Sequence, residues 1–555
     1  MMKLPNGGNR REVLVGGATA GLLTVTGLSA QTSNPSNAAS SNLKASITLD
    51  GVSYSYPNGP TIPSYYVEFR NDGRVVFHLG ALGDLSGRIA TAKPYHLGPH
   101  HVKIESGTAV LFDKDIPGHW WNAEWTYRPG PLTIKNTPAQ LVAANRMFLF
   151  GDTGCKVGGV ANYSFKGPMD SAGITKYMPT TGERPDIGLV TDPSGYFMLT
   201  GKPDPMVAWA QAAGSCPLHF RDEATGKPID LLKYPRANSY DLPDLQGAPW
   251  LPKGLPDVRA PAYTGFGGEW GPQQAHFCEM SYVAFMATAD LGFLEDLQYE
   301  ANFCLLTDAS KSTKNGAVVS GETRGIAWAL RQLFMAHVAT RDTEAAGRLP
   351  STCHPSGYFK KLLDQSLSFY IRVMSDPREQ TFRLIGEETA RFSPWTVDYL
   401  LTSLAFGVLS GHPDWAPLYL WCLGNAIART NGTSGYPPGF GTSYRLNTVP
   451  GGQNNSLPKY TWAQAFAALV TDPEVKLTQA QHDALVADPL NGGKAYTGQE
   501  YMMTTRAVLV MADYLDKKGL AAVRATYADF DTSLKNADRM AHAYGAMNAR
   551  GSVVA

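Results

Sequence analysis

The 555-residue chain has no surplus of either charge sign: Lys and Arg together number 48, and so do Asp and Glu. A general nucleic-acid binder carries a basic excess or a basic stripe, so that class is set aside. Charge is scarce altogether, at 17% of residues, while 11% are aromatic. Wholesale disorder needs few aromatics and a high net charge, and neither condition holds. The six cysteines include no C-x-x-C pair, which leaves a zinc ribbon or a thioredoxin-type site without a foothold. H-E-x-x-H, an EF-hand loop, Walker A and G-x-S-x-G are missing too. His100 and His101 are adjacent, so their side chains diverge from any common ion. No metal and no cofactor are therefore expected. What the chain does have is 56 Gly and 38 Pro, the composition of a large, loop-rich globular protein with rings to spare for a core or a ligand cleft.

The N-terminus reads as an address. Arg10-Arg11 precedes an apolar, Gly- and Thr-rich run from Val13 to Leu28, about 16 residues long and short of the ~20 that span a bilayer. The pair and the run resemble a Tat signal over residues 1–30, although Leu28 departs from the A-x-A cleavage pattern. A Ser/Asn/Ala-rich flexible lead follows over 31–42. The mature protein is expected in the periplasm or outside the cell, with no stable membrane insertion. In such a compartment Cys278 and Cys304 could pair across a helical hairpin, or all six thiols could stay free.

Residues 43–155 are strand text. Ala45–Leu49, Tyr65–Arg70, Arg74–His78 and Thr108–Phe112 are short, β-branched and aromatic, and Asp50-Gly51 and Asn71-Asp72-Gly73 mark turns between them. This predicts a β-sandwich. Residues 156–270 are dense in Pro and Gly and read as a connector wrapped over the next domain, with helical turns such as Asp204–Ala213. Over 271–528 the period becomes helical, with helices expected at Gln274–Ala289, Leu291–Thr307, Glu322–Thr340, Tyr358–Met374, Pro394–Leu409, Trp415–Arg429, Thr461–Val470 and Gln499–Lys517. Paired helices without sequence repeats, behind a β-domain, predict an α+β multidomain protein: an N-terminal β-sandwich followed by an (α/α)6-type toroid of helical hairpins. Residues 529–555 read as a polar tail.

Three stretches carry a resemblance. They are Tyr177 to Gly188, with its Arg184 and Asp186; Ala275-His276 with Ala289-Asp290 and Leu294–Asn302; and Arg324-Gly-Ile-Ala-Trp328-Ala-Leu-Arg331. Together they look like a group of bacterial carbohydrate-active proteins with a β-domain and a toroid. That group is similar in layout to exo-acting rhamnogalacturonan lyases and other six-hairpin enzymes. The resemblance implies the fold more strongly than any one activity.

Candidate site residues fall into two sets. In the first, His276 follows a Gly-rich loop and supplies a general base, or neutralises a substrate carboxylate. Tyr177 supplies an acid. Arg324 and Arg331, seven residues apart on one helical face, are shaped to clamp a uronate carboxylate bidentately, and Glu322 or Glu300 is the competing partner for either. Arg184 and Asp186 bind substrate or merely pin their loop. Trp270 and Trp328 offer stacking faces, as does Trp395, and Asn454 a rim hydrogen bond. Trp120, Trp121 and Trp125 are better placed as packing at the domain interface. The second set is carboxylates, Glu269 with Glu387 or Asp398, which suits a glycosidase because hydrolysis needs one acid and one base or nucleophile.

Three functions follow. The first is an exported polysaccharide lyase acting on an acidic, uronate-containing polysaccharide or oligosaccharide by β-elimination. The second is a glycoside hydrolase on the same toroid, and the third a non-catalytic glycan-binding protein.

Overall fold

The computed structural model describes residues 42–80, 96–151, 160–178, 187–222, 225–233, 270–306, 313–314, 317–318, 322–385, 390–441, 443, 445–471, 480, 483–484, 487 and 499–544. The signal, Cys155, Arg184, Asp186, Glu269 and Glu387 lie outside the described residues, as does all of the lead except residue 42. Helices and antiparallel sheets are segregated along the chain in an α+β layout. Among the described residues no helix is long and apolar enough to cross a membrane.

Seven strands form two antiparallel sheets. One has the order β2 (Val52–Tyr56), β1 (Leu43–Leu49), β5 (His100–Ser106), β6 (Ala109–Ile116); the other runs β3 (Tyr65–Phe69), β4 (Val75–Leu79), β7 (Ala123–Tyr127). Alternation sends Ala45, Ile47, Val102 and Ile104 from the first sheet, and Val75, Phe77 and Trp125 from the second, into one apolar cluster. Phe77 and Trp125 stack there with ring centres 4.0 Å apart. Trp121 joins the same cluster, whereas the Trp120 indole donates across to Ser215 O at 2.5 Å. All five residues of β4 are buried, so both faces of its sheet are covered. The second cover is the helical body, and toward it point Tyr66, His78 and Glu124, side by side across β3, β4 and β7.

Between the sheets and the helical body the described residues carry short helices, the expected turn at Asp204–Ala213 among them. After the short α1 (Pro138–Ala143), α2 (Asp192–Thr200) and α3 (Asp204–Ala213) pack into the main core through Phe197, Met206 and Trp209. The chain then docks on β7, where Glu124 N donates to Gly214 O at 2.7 Å. That approach requires glycine, because a Cβ at Gly214 would stand 2.2 Å from the Glu124 carbonyl oxygen.

Seven helices follow: α4 (Tyr282–Thr288), α5 (Leu291–Leu306), α6 (Thr323–Ala345), α7 (Ser356–Met374), α8 (Pro394–Leu409), α9 (Ala416–Thr430) and α10 (Trp462–Thr471). Among the described residues three more follow, Gln499–Lys517, the short Val523–Thr526 and Phe530–Tyr544. α8 is buried along its whole length and α6 over its first five turns, so both are inner helices. α7 buries only a stripe, Tyr358, Phe359, Leu362, Leu363, Ser366, Leu367 and Tyr370, and is an outer one. α6 and α8 run parallel: Arg324 meets Trp395, Trp328 meets Tyr399 and Phe334 meets Gly407 in step along both helices, and His337 meets His412 just past the end of α8.

Two expectations need correction. The helix foreseen over Gln274–Ala289 is a 3-10 turn, Gln274–His276, then extended chain, then α4. The break has a cause: the Phe277 carbonyl turns to accept from Arg331 Nη2 at 2.9 Å, and the Glu279 side chain accepts Val283 N at 3.0 Å to start α4 afresh. The polar tail holds the helix Phe530–Tyr544, because Phe530, Ala537 and Met540 recur at helical spacing and are buried. The five described cysteines are buried, and Cys304 is a free thiol, so the Cys278–Cys304 pair does not form.

Candidate active site at the outer end of α6

The N-termini of α6 and α8 emerge together at one end of the helical body. Arg324 lies in the first turn of α6, 7% exposed, with its guanidinium 5.2 Å from the Trp395 ring at the start of α8. One arm, Nη2, donates to Glu322 Oε1 at 2.6 Å, and Nε is buried without a hydrogen-bond acceptor. Two parallel helix N-termini and one guanidinium make this end attractive to an anion.

His276 sits on the 3-10 turn that packs against α6. Gln274 ties that turn to the end of α5, donating from Nε2 to Cys304 O at 2.5 Å. His276 Nδ1 hydrogen-bonds Gln273 Oε1. An amide oxygen only accepts, so Nδ1 carries a proton. Gln273 is the orienting residue that sequence reasoning missed; its three-residue offset from His276 was the available signal.

Tyr177 pairs with Gly271 in a parallel bridge, with Gly271 N donating to Lys176 O at 2.9 Å. Its ring is 60% exposed. The same bridge places Trp270 next in the chain, but Trp270 is buried and offers no open stacking face. Arg324 and Trp395 thus meet at the helix starts, His276 stands on a turn packed against α6, and Tyr177 stands on the strand bridge that leads into that turn.

Other candidates have different work. Arg331 is fully buried, donating to Gly188 O at 2.5 Å and to Phe277 O while stacking 4.6 Å from Trp328. Burial pulls its pKa down. Arg331 and Trp328 therefore brace the core and do not line a cleft. Asp398, also fully buried, forms an ion pair with Arg429 and accepts from Thr505 Oγ1 at 2.5 Å, which removes it as a catalytic acid. Asn454 is exposed, and its Oδ1 accepts from Ser456 N at 3.0 Å and Ser456 Oγ at 2.6 Å, closing a local turn.

Deeper in the body, Glu300 accepts from Ser281 Oγ at 2.6 Å and Gln332 Nε2 at 2.7 Å. Burial pushes its pKa up to about 8. Glu279 beside it is raised by burial as well. Both are closed off from the outer end of α6 and act on stability.

Compared with protein-family models, with curated proteins and with solved structures, the chain matches none of them.

Proposed function

We propose that the protein is an exported carbohydrate-active enzyme that cleaves an acidic, uronate-containing glycan by β-elimination. In this reading the two sheets form a β-sandwich, the helical hairpins form an (α/α) toroid, and the reaction takes place at the outer end of α6. Export by the Tat pathway is part of the same proposal and rests on the Arg10-Arg11 pair.

β-Elimination needs a carboxylate neutralised, a proton removed from the adjacent carbon, and a proton delivered to the leaving glycosidic oxygen. Arg324 neutralises the uronate carboxylate, exchanging Glu322 for the substrate. The Nε2 of His276 takes the α-proton, with Gln273 holding the ring in the correct tautomer. Tyr177, exposed on its bridge, protonates the leaving oxygen.

The observation that carries this reading is Arg324: a guanidinium almost wholly buried, backed by Trp395, with Nε unmatched and its one side-chain partner, Glu322, partly exposed. A hydrolase loses ground because Asp398 is committed to Arg429. The test is product analysis on a panel of uronate and neutral glycans. An unsaturated, ultraviolet-absorbing product from a uronate glycan is expected. New reducing ends without ultraviolet absorbance would overturn elimination in favour of hydrolysis, and binding without any cleavage would overturn both.

A further inference from the structure

The seam between the sheets and the helices holds a cluster of metal-ligand side chains that no motif announces. His78 on β4 and Glu124 on β7 are direct cross-strand partners, facing away from the sheet core. Asp296 comes from α5, and His219 from the segment that docks on β7, where its N–H donates to Asn122 O at 2.9 Å. All four are buried. One ligand atom from each of Glu124, His219 and Asp296 lies within 4.8 Å of the other two.

The proton inventory of this cluster does not close. His219 Nδ1 is 3.3 Å from Cys216 O, which can only accept, so Nδ1 bears a hydrogen. Its Nε2 then turns a lone pair toward Asp296 Oδ1, 3.1 Å away. Something positive must sit between them, either a second proton or a metal ion. His78 flanks this group: its ring is 1% exposed, neither nitrogen makes a hydrogen bond, and Nδ1 stands 3.5 Å from Glu124 Oε2, but it is not one of the three residues whose ligand atoms converge.

Nearby positive charge is already engaged: Arg74 with Glu295 at 2.6 Å and Asp72 at 2.8 Å, Arg70 with Glu68, and Arg221 also with Glu68. Glu124 and Asp296 are left as two buried carboxylates, and a divalent ion offsets both. Zinc bonds of about 2.0–2.2 Å put tetrahedral ligand atoms roughly 3.3–3.6 Å apart, close to the 3.1 Å between His219 Nε2 and Asp296 Oδ1 and inside the 4.8 Å that bounds all three ligand atoms. A backbone carbonyl on the far ring nitrogen, as Cys216 provides for His219, is the usual support of a metal-bound histidine.

We propose that Glu124, His219 and Asp296 hold one structural Zn²⁺ that fastens the β-domain to the helical body, with His78 flanking Glu124. The proposal is independent of the glycan chemistry. To test it, the full-length chain is stripped with a chelator, dialysed and titrated with Zn²⁺, with metal content and thermal unfolding as readouts. One equivalent of zinc per chain is expected, with Tm falling by several degrees on stripping and recovering on reloading. Co²⁺ in place of zinc should show the intense visible bands of tetrahedral cobalt in the unmutated protein, which covers the case where variants fail to fold. His219→Ala and Asp296→Ala should each cut bound metal at least tenfold. A folded, unmutated chain that takes up less than a tenth of an equivalent, with an unchanged Tm, would overturn the site and leave a His219 imidazolium between carboxylates. One equivalent retained in folded His219→Ala would overturn it equally, by placing the metal elsewhere.

Discussion

The outer turn of α6 and the interior two turns further on carry the same side chain in opposite circumstances. Arg331 gives its donors to two backbone carbonyls, Gly188 and Phe277, that cannot move without moving the chain. Arg324 gives one arm to Glu322, whose side chain is 37% exposed, and leaves Nε unmatched. Helical periodicity aligns the two arginines on one face, and depth separates their roles. A guanidinium satisfied by fixed carbonyls holds the fold. One satisfied by a single carboxylate near solvent can exchange that partner for a ligand.

The comparison is broken most directly by removing the interior charges. Arg331→Met leaves two buried carbonyls without donors, and Asp398→Asn leaves the fully buried Arg429 uncompensated. Each is expected to cost roughly 3–5 kcal/mol in denaturant unfolding at unchanged m-value. Arg324→Met should cost under about 1 kcal/mol, the range of a partly exposed ion pair. Equal losses at both arginines would erase the distinction.

Next in size is the seam. Gly214→Ala forces a Cβ against the Glu124 carbonyl, and overpacking of this kind costs about 1–3 kcal/mol. Because the strain falls on the segment that carries His219, zinc uptake should weaken along with stability. A variant with native Tm and native metal content would show that the docking is looser than the close approach implies.

Smaller still, per unit of pH, is the effect of Glu300. Its carboxyl titrates near 4.5 when unfolded and is pushed up to about 8 when folded, so the folded chain holds the proton more tightly. The stabilisation is complete below about 4.5 and is lost as pH rises toward 8, by at most about 1.4 kcal/mol per unit. Glu300→Gln should flatten the unfolding midpoint between pH 5 and 8. A slope unchanged by that substitution would place the titration on another group.

Much of the helical body was legible in the text. Pro394–Leu409 and Gln499–Lys517 begin and end where their apolar period and flanking Pro and Lys place them. What the text hid was cancelled by tertiary partners. Val52–Tyr56 and Ala123–Tyr127 are short strands whose polar positions obscure the alternation, and Glu124 looks like a solvent residue until the helical body covers it. The break after His276 depends on Arg331, dozens of residues away. Around the candidate active site, the types and spacing of His276 and Arg324 were readable, whereas the burial that separates Arg324 from Arg331 was not. The seam cluster was not readable at all, since its four residues come from two strands, a connector and a helix.

The central claim is that the outer end of α6 acts on a uronate glycan through Arg324 and His276. The most direct measurement is the rate of unsaturated-product formation for the unmutated enzyme, His276→Ala and Arg324→Lys, each shown to be folded by its unfolding midpoint. The account predicts that His276→Ala lowers turnover by about 10²–10⁴ while substrate binding changes far less. It predicts that Arg324→Lys fails to restore activity, because an ammonium lacks the planar fork that a carboxylate requires. A folded His276→Ala enzyme with near-normal turnover, beside an inactive Glu269→Gln or Glu387→Gln variant, would contradict it and assign the reaction to carboxylates.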